Sequence, residues 1–172
     1  MNKFSTAFIA ILLFISTTAF CQSSAKTAEN GLVWYTNLQE VHELSAKSNK
    51  PIFAFFTGSD WCGWCKRLQA NVFVKKDFID WASKNVILLE LDFPRSKALS
   101  PELTKQNADL QQALAVRGYP TVWLMYTEKN NETNTINLNT LGSLGYPQGA
   151  EPGKEEVKFL KDAEQIMANK KK

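Results

Sequence analysis

Histidine, cysteine and net charge are all in short supply in this sequence. The one histidine, His42, has no cysteine, serine or carboxylate motif tied to it. A histidine-assisted cysteine protease would need it, so a half-buried or solvent-facing side chain is expected instead. The same shortage bears on metals. A tetrahedral zinc site takes four ligands, and the chain offers two neighbouring thiols and a distant histidine, so no metal site within one chain is expected. Copper(I) held by two thiolates is the remaining metal alternative. Three cysteines, Cys21, Cys62 and Cys65, exclude a disulfide-stapled scaffold. A formal net charge of +3 without an arginine-rich run excludes a nucleic-acid footprint. Lys170-Lys171-Lys172 reads as a solvated, frayed end. Internal repeats are missing too. The rest is ordinary: 172 residues, 44% hydrophobic and 22% charged, suit one domain with its own core.

What is present is concentrated at Asp60-Trp61-Cys62-Gly63-Trp64-Cys65-Lys66-Arg67. An apolar, β-prone run, Pro51 to Phe56, precedes it, and a helical pattern follows. Strand, turn, Cys-x-x-Cys and helix place one thiol at a helix N-terminus. There unpaired backbone N–H groups and the helix dipole favour negative charge. The thiolate is the reactive form of cysteine, and this setting lowers its pKa. Cys62 is therefore read as the nucleophile and Cys65 as its resolving partner. Lys66 and Arg67 are solvated helix charges that would help hold a thiolate. A disulfide closing so small a loop is a poor stabiliser but a usable reagent.

Met1 to Phe20 has a basic start at Lys3, an apolar run from Ala7 to Ile15 and a small, polar end. This is the three-part pattern of a secretory signal peptide, with an apolar core too short for a good membrane span. Ala19-Phe20-Cys21 fits cleavage after Cys21, leaving Gln22 first. The competing reading makes Cys21 the lipidated first residue of a lipoprotein, against which bulky Phe20 counts; an uncleaved anchor is a third reading. In each, the domain lies outside the cytoplasm, where disulfides form and persist. The expected organisation is a signal peptide over 1–21, a linker over 22–30, one domain over 31–168 and a basic tail over 169–172.

Along the domain, Gly31 to Tyr35 predicts a short strand. Asn37 caps a helix carrying Leu38, Val41 and Leu44, with Glu40 placed for a capping box. Ile52 to Phe56 and Val86 to Leu91 are continuous apolar runs that suit strands buried on both faces. A helical stretch through Leu68, Val72 and Phe73, then Phe78 to Ala82, links them, which predicts a right-handed parallel crossover. Pro101 opens a helix facing inward through Leu103, Leu110, Ala113 and Leu114. Thr121 to Tyr126 is a strand and Glu128 to Thr135 a polar turn. Ile136 to Leu141 pairs back, Gly142 to Gly153 is a loop, and Glu155 to Met167 is a helix facing inward through Val157, Leu160, Ala163, Ile166 and Met167.

Phe55-Phe56-Thr57-Gly58-Ser59-Asp60-Trp61-Cys62-Gly63-Trp64-Cys65-Lys66 resembles the active-site stretch of the thioredoxin superfamily. Val116-Arg117-Gly118-Tyr119-Pro120-Thr121 resembles that family's cis-proline loop, and Leu89-Glu90-Leu91-Asp92 its intervening strand. More narrowly the chain resembles exported thioredoxin-like proteins of Bacteroidota type, related to the C-terminal domain of the thiol:disulfide interchange protein. The resemblance implies a thioredoxin fold of the α/β class, a central mixed β-sheet flanked by helices. It implies catalytic Cys62 and Cys65, and a substrate surface of Trp61, Gly63, Trp64, Tyr119, Pro120 and Thr121. A cis bond before Pro120 would bring the Thr121 backbone beside Cys62. No cofactor beyond a Cys62–Cys65 redox disulfide is implied. The partners implied are cysteine-containing exported proteins and a membrane thiol–disulfide electron donor, not nucleic acid. The buried carboxylate that usually deprotonates the second cysteine is replaced by Phe55 and Phe56, and its lysine companion falls near Leu88. Glu90 or Asp60 are the available substitutes.

The expected function is exported protein thiol–disulfide exchange of reductase or isomerase type, since the extra helical insertion of dedicated periplasmic oxidants is missing. The alternatives are a binding or chaperone-like module with a regulatory dithiol, and a dedicated thiol donor to one partner.

Overall fold

The computed structural model describes residues 24–28 and 30–168. The expected signal peptide, Cys21 and the expected basic tail lie outside the described residues. In chain order the elements are β1 (Lys26–Thr27), β2 (Val33–Tyr35), α1 (Leu38–Ser48), β3 (Ile52–Thr57) and α2 (Gly63–Leu68). A π-helical segment (Gln69–Phe73), α3 (Lys76–Asn85) and β4 (Ile87–Asp92) follow, then α4 (Pro101–Ala113), β5 (Thr121–Asn130), β6 (Thr135–Leu144) and α5 (Glu155–Ala168).

β3 is the centre. Every residue of it is buried, as its unbroken apolar run demands. It pairs in parallel with β4, from Ile52 opposite Ile87 to Thr57 opposite Asp92. On its other side it pairs antiparallel with β5. The sheet order is β1-β2-β4-β3-β5-β6. Alternation along β3 feeds two cores. Phe53 and Phe55 join Leu68, Phe73, Phe78, Trp81 and Phe159 on the face covered by α2, α3 and α5. Ile52, Ala54 and Phe56 join Val41, Leu110 and Leu114 on the face covered by α1 and α4. The expected mixed sheet flanked by helices is thus present. From the end of β3 a short loop, 58–62, carries the chain into the start of α2, at the carboxyl edge of two parallel strands, where α/β sheets place ligands.

Several local expectations change. Residues 24–28 are more than a linker: Lys26 and Thr27 pair antiparallel with Trp34 and Val33. The Ser24 hydroxyl donates to Glu40 (2.6 Å) and accepts from the backbone N–H groups of Thr36 and Asn37. Glu40 therefore serves Ser24, while the Asn37 side chain caps α1 by accepting from the Glu40 N–H at 3.0 Å. His42 is buried rather than half-exposed, sharing a 2.8 Å hydrogen bond with the Thr127 hydroxyl on the sheet face opposite α2. On α4 Asn107 is buried beside Leu110 while Ala113 is exposed, because the Asn107 amide donates to the Asp92 carbonyl at 2.9 Å.

The β5–β6 hairpin is longer than its polar sequence suggests. Glu128 to Asn130 pair with Asn137 to Thr135, so cross-strand hydrogen bonding carries both strands past the apolar stretch, and Gly142 to Leu144 are strand rather than loop. On α5, Val157 is 53% exposed while Phe159, which the apolar count passed over, is buried with Ala163 one turn on. After α2 the helix widens: the Val74 N–H reaches back to the Gln69 carbonyl at 3.1 Å. The extra residue this inserts in the turn lets Val72 and Phe73 both turn inward.

Candidate active site

Cys62 and Cys65 are joined as a disulfide with their Cα atoms 5.3 Å apart. Cys62 is the N-cap of α2, and its sulfur accepts from the Cys65 N–H at 3.1 Å. The helix start thus points a donor at the sulfur that the sequence marks as nucleophile. Cys62 keeps 4% of its surface exposed and Cys65 none. The pair is more closed than a dithiol reagent at a helix tip leads one to expect, and any exchange has to begin at Cys62.

Three loops surround the disulfide. The first carries Trp61, 37% exposed, whose indole N–H donates to the Phe93 carbonyl at 2.8 Å. The ring lies so close over Gly58 that a Cβ there would come within 2.4 Å of it. Glycine is therefore required at 58 for Trp61 to hold this position. Arg95 stacks its guanidinium 4.0 Å from the Trp61 ring centre, and Tyr119 meets the same ring edge-on at 5.7 Å.

The loop is tied down by two acids. Asp92 accepts from the Ser59 N–H (2.8 Å) and hydroxyl (2.7 Å) and pairs with Lys97 at 3.1 Å. Asp60 accepts from the Ser96 hydroxyl, the Ser96 N–H and the Arg95 N–H. The Ser96 hydroxyl above all, then its N–H, holds the Asp60 carboxyl down at about 2.

On the other side Trp64, 47% exposed, meets Tyr146 edge-on at 5.0 Å and lies under Arg67 at 4.7 Å. Asn71 donates to the Tyr146 hydroxyl at 2.8 Å. Gly63, between them, is exposed with open space around it. The third loop holds Tyr119 and Pro120, joined by a cis bond. Tyr119 stacks on Phe93 at 5.2 Å, its hydroxyl accepts from the Gln111 amide at 2.7 Å, and burial pushes its pKa up. Thr121 opens β5 opposite Phe56.

The structure therefore brings the predicted residues to one end of the sheet. Sequence reasoning missed Phe93, Arg95 and Tyr146, which hold the two tryptophans, and Asp92 with Ser59, which anchors the loop. An aspartate ending a buried strand beside an active loop was the only signal for them.

Residues 38–133 match the family model described as a thioredoxin-like domain. The chain belongs to the thioredoxin-like family. It is 33% identical over 99 residues to the disulfide bond reductase DsbH of Chlamydia pneumoniae, a match covering 58% of this chain and 59% of that protein. It is 21% identical over 145 residues to the thioredoxin-related protein DsbJ of the same organism, covering 84% of this chain and 40% of that one. The chain thus spans less than two thirds of either relative. Among solved structures, a DsbH oxidoreductase superposes with a TM-score of 0.63 at 23% identity, over 84% of this chain and 88% of that one. A thioredoxin from Thermus thermophilus gives 0.52 at 14% identity, over 78% and 85%. Both share the thioredoxin fold.

In this thioredoxin-like chain the two acids considered as stand-ins for the missing carboxylate have different fates. Asp60 is committed to Arg95 and Ser96. Glu90 lies opposite Phe55 in the ladder, on the disulfide's side of the sheet, with Lys26 at 3.8 Å. Burial pushes its pKa up, Lys26 opposing. A carboxyl whose folded pKa is raised favours folding most when protonated. Its contribution is full below the unfolded carboxyl value and falls as pH rises through the folded one. Glu90→Gln is thus expected to raise the denaturation midpoint at about pH 7 relative to the parent, and to leave the two proteins level near about pH 4. Urea titration at both values checks this; an equal difference at the two pH values would refute it.

Proposed function

We propose that this chain is an exported protein thiol–disulfide oxidoreductase, of reductase or isomerase type, acting on cysteines of other exported proteins. The observation that carries this is the Cys62–Cys65 disulfide capping α2, with the Cys65 N–H on the outer sulfur and the Tyr119 ring against neighbouring Trp61. The printed name of the DsbH relative, a disulfide bond reductase, supports it. Export rests on the leader-like pattern of residues 1–21.

In the reduced protein the Cys62 thiolate attacks one sulfur of a substrate disulfide. The substrate S–S bond breaks, a mixed disulfide forms, and the departing substrate thiolate takes up a proton. Cys65, once deprotonated, attacks the Cys62 sulfur and expels the second substrate thiolate, leaving the Cys62–Cys65 disulfide. The substrate has gained two electrons and two protons. Resetting the dithiol requires two electrons from outside, for which a membrane thiol–disulfide donor is the proposed source. Trp61 and Trp64 form the exposed surface a substrate meets, with Gly63, Tyr119, Pro120 and Thr121 at the rim. In an isomerase cycle the mixed disulfide is instead released by another substrate thiol.

The near-closure of the disulfide favours a second reading, a binding module with a regulatory dithiol. Alkylation separates the two. Under the oxidoreductase reading, iodoacetamide modifies Cys62 of the reduced protein faster than free cysteine at neutral pH, and Cys65 far more slowly. A Cys62 rate no faster than that of free cysteine, with no acceleration of insulin reduction by dithiothreitol, would sink the enzyme reading.

A further inference from the structure

The charges around the disulfide are one-sided. The four segments that converge there, 58–67, 92–97, 117–121 and 142–146, carry Lys66, Arg67, Arg95, Lys97 and Arg117 against two carboxylates, Asp60 and Asp92. Lys97 is paired with Asp92. Asp60 is turned onto the N–H groups of Arg95 and Ser96 and the Ser96 hydroxyl. Lys66 reaches only the Asp60 backbone carbonyl, at 3.2 Å. Among the described residues no ion pair engages Lys66, Arg67, Arg95 or Arg117. Two of these three arginines lie over the tryptophans, Arg67 4.7 Å from the Trp64 ring centre and Arg95 4.0 Å from that of Trp61. An indole under a guanidinium fixes its direction and leaves its N–H edge free for a carboxylate. The tryptophans flank the Cys62-Gly63 step in sequence, so each reactive approach runs between two preset cations on apolar platforms.

We infer that this rim selects substrates: segments whose reactive cysteine is flanked by acidic side chains are reduced in preference to neutral or basic ones. The inference rests on the oxidoreductase reading and names its substrate class. Opposite charge on the rim raises encounter rates and aligns the chain, an effect that salt weakens.

Three peptides with the same intramolecular disulfide test this, carrying Glu, Gln or Lys two residues before the reactive cysteine. Their reduction by dithiothreitol is followed with and without the protein, and each catalysed kcat/KM is divided by that peptide's uncatalysed rate. The expected order is Glu over Gln over Lys, with a Glu-to-Lys ratio of about tenfold in low salt that shrinks in about 0.5 M sodium chloride. In the Arg67→Gln, Arg95→Gln double variant the ratio collapses towards one. Because the readout is a ratio within one protein, partial misfolding does not imitate it. Equal normalised rates in the parent, or a ratio that survives the double substitution, would overturn the rim. If no peptide is reduced and insulin is not reduced either, the oxidoreductase reading has failed and the inference goes with it.

Discussion

Replacing Cys62 with serine is expected to return insulin reduction to the bare dithiothreitol rate, a loss on the order of 10³-fold or more, as when other covalent mechanisms lose their nucleophile. A hydroxyl has no accessible anion at neutral pH, and the donor that Cys65 N–H supplies at 3.1 Å then has no charge to hold. The substitution removes one sulfur from a loop of sequence separation 3, so the fold has little to lose and circular dichroism is expected to stay unchanged. Cys65→Ser behaves differently. Attack by Cys62 proceeds, resolution does not, and mixed disulfides with substrate accumulate on a non-reducing gel. The asymmetry follows from burial: Cys65 has no exposed surface, so only Cys62 meets a substrate. Substantial insulin reduction by Cys62→Ser, or trapping by Cys62→Ser rather than Cys65→Ser, would reverse the assignment.

Phe53→Ala is expected to cost about 3–5 kcal/mol of folding stability, read as a drop in the urea midpoint. Phe53 is fully buried, the second residue of the central strand. Its ring faces those of Trp34, Phe73, Phe78, Trp81 and Phe159 at centroid distances of 6.1, 5.7, 5.7, 6.4 and 6.2 Å. These five come from β2, the π-helical segment, α3 and α5, so the cavity left behind borders four elements and cannot close by moving one. Val157→Ala, on the open face of α5, is expected to shift stability by less than about 0.5 kcal/mol. A loss below about 1 kcal/mol at Phe53 would show that the aromatic cluster repacks, and that Phe53 is not its centre.

These two substitutions also divide what is legible in the residues from what is not. The strand before Cys62, the helix after it and the Tyr119-Pro120-Thr121 loop are written in short-range terms: apolar runs, turn residues and a two-residue spacing. The hairpin's true length is not, because Glu128 to Asn130 are polar and hold strand form only through bonds to Thr135 to Asn137. The apolar count turns Val157 inward and passes over Phe159; that Phe159 is the one buried depends on where α5 lies against Phe53 and Phe78.

By itself the sequence determined the chemistry available: two thiols one helical turn apart, one tryptophan before them and one between them, and phenylalanines where the family's buried carboxylate usually stands. Only the tertiary structure decided how that chemistry is held. Asp60 finds Ser96 across a separation of 36 residues, and Ser59 finds Asp92 across 33. Tyr146 meets Trp64 from the far end of the β6 edge strand. The physical reason is that periodicity and turn propensity act within a few residues along the chain, whereas the partners that fix a side chain's direction, charge and exposure are chosen by which loops the parallel β3–β4 pair and the β5–β6 hairpin bring to the same end of the sheet.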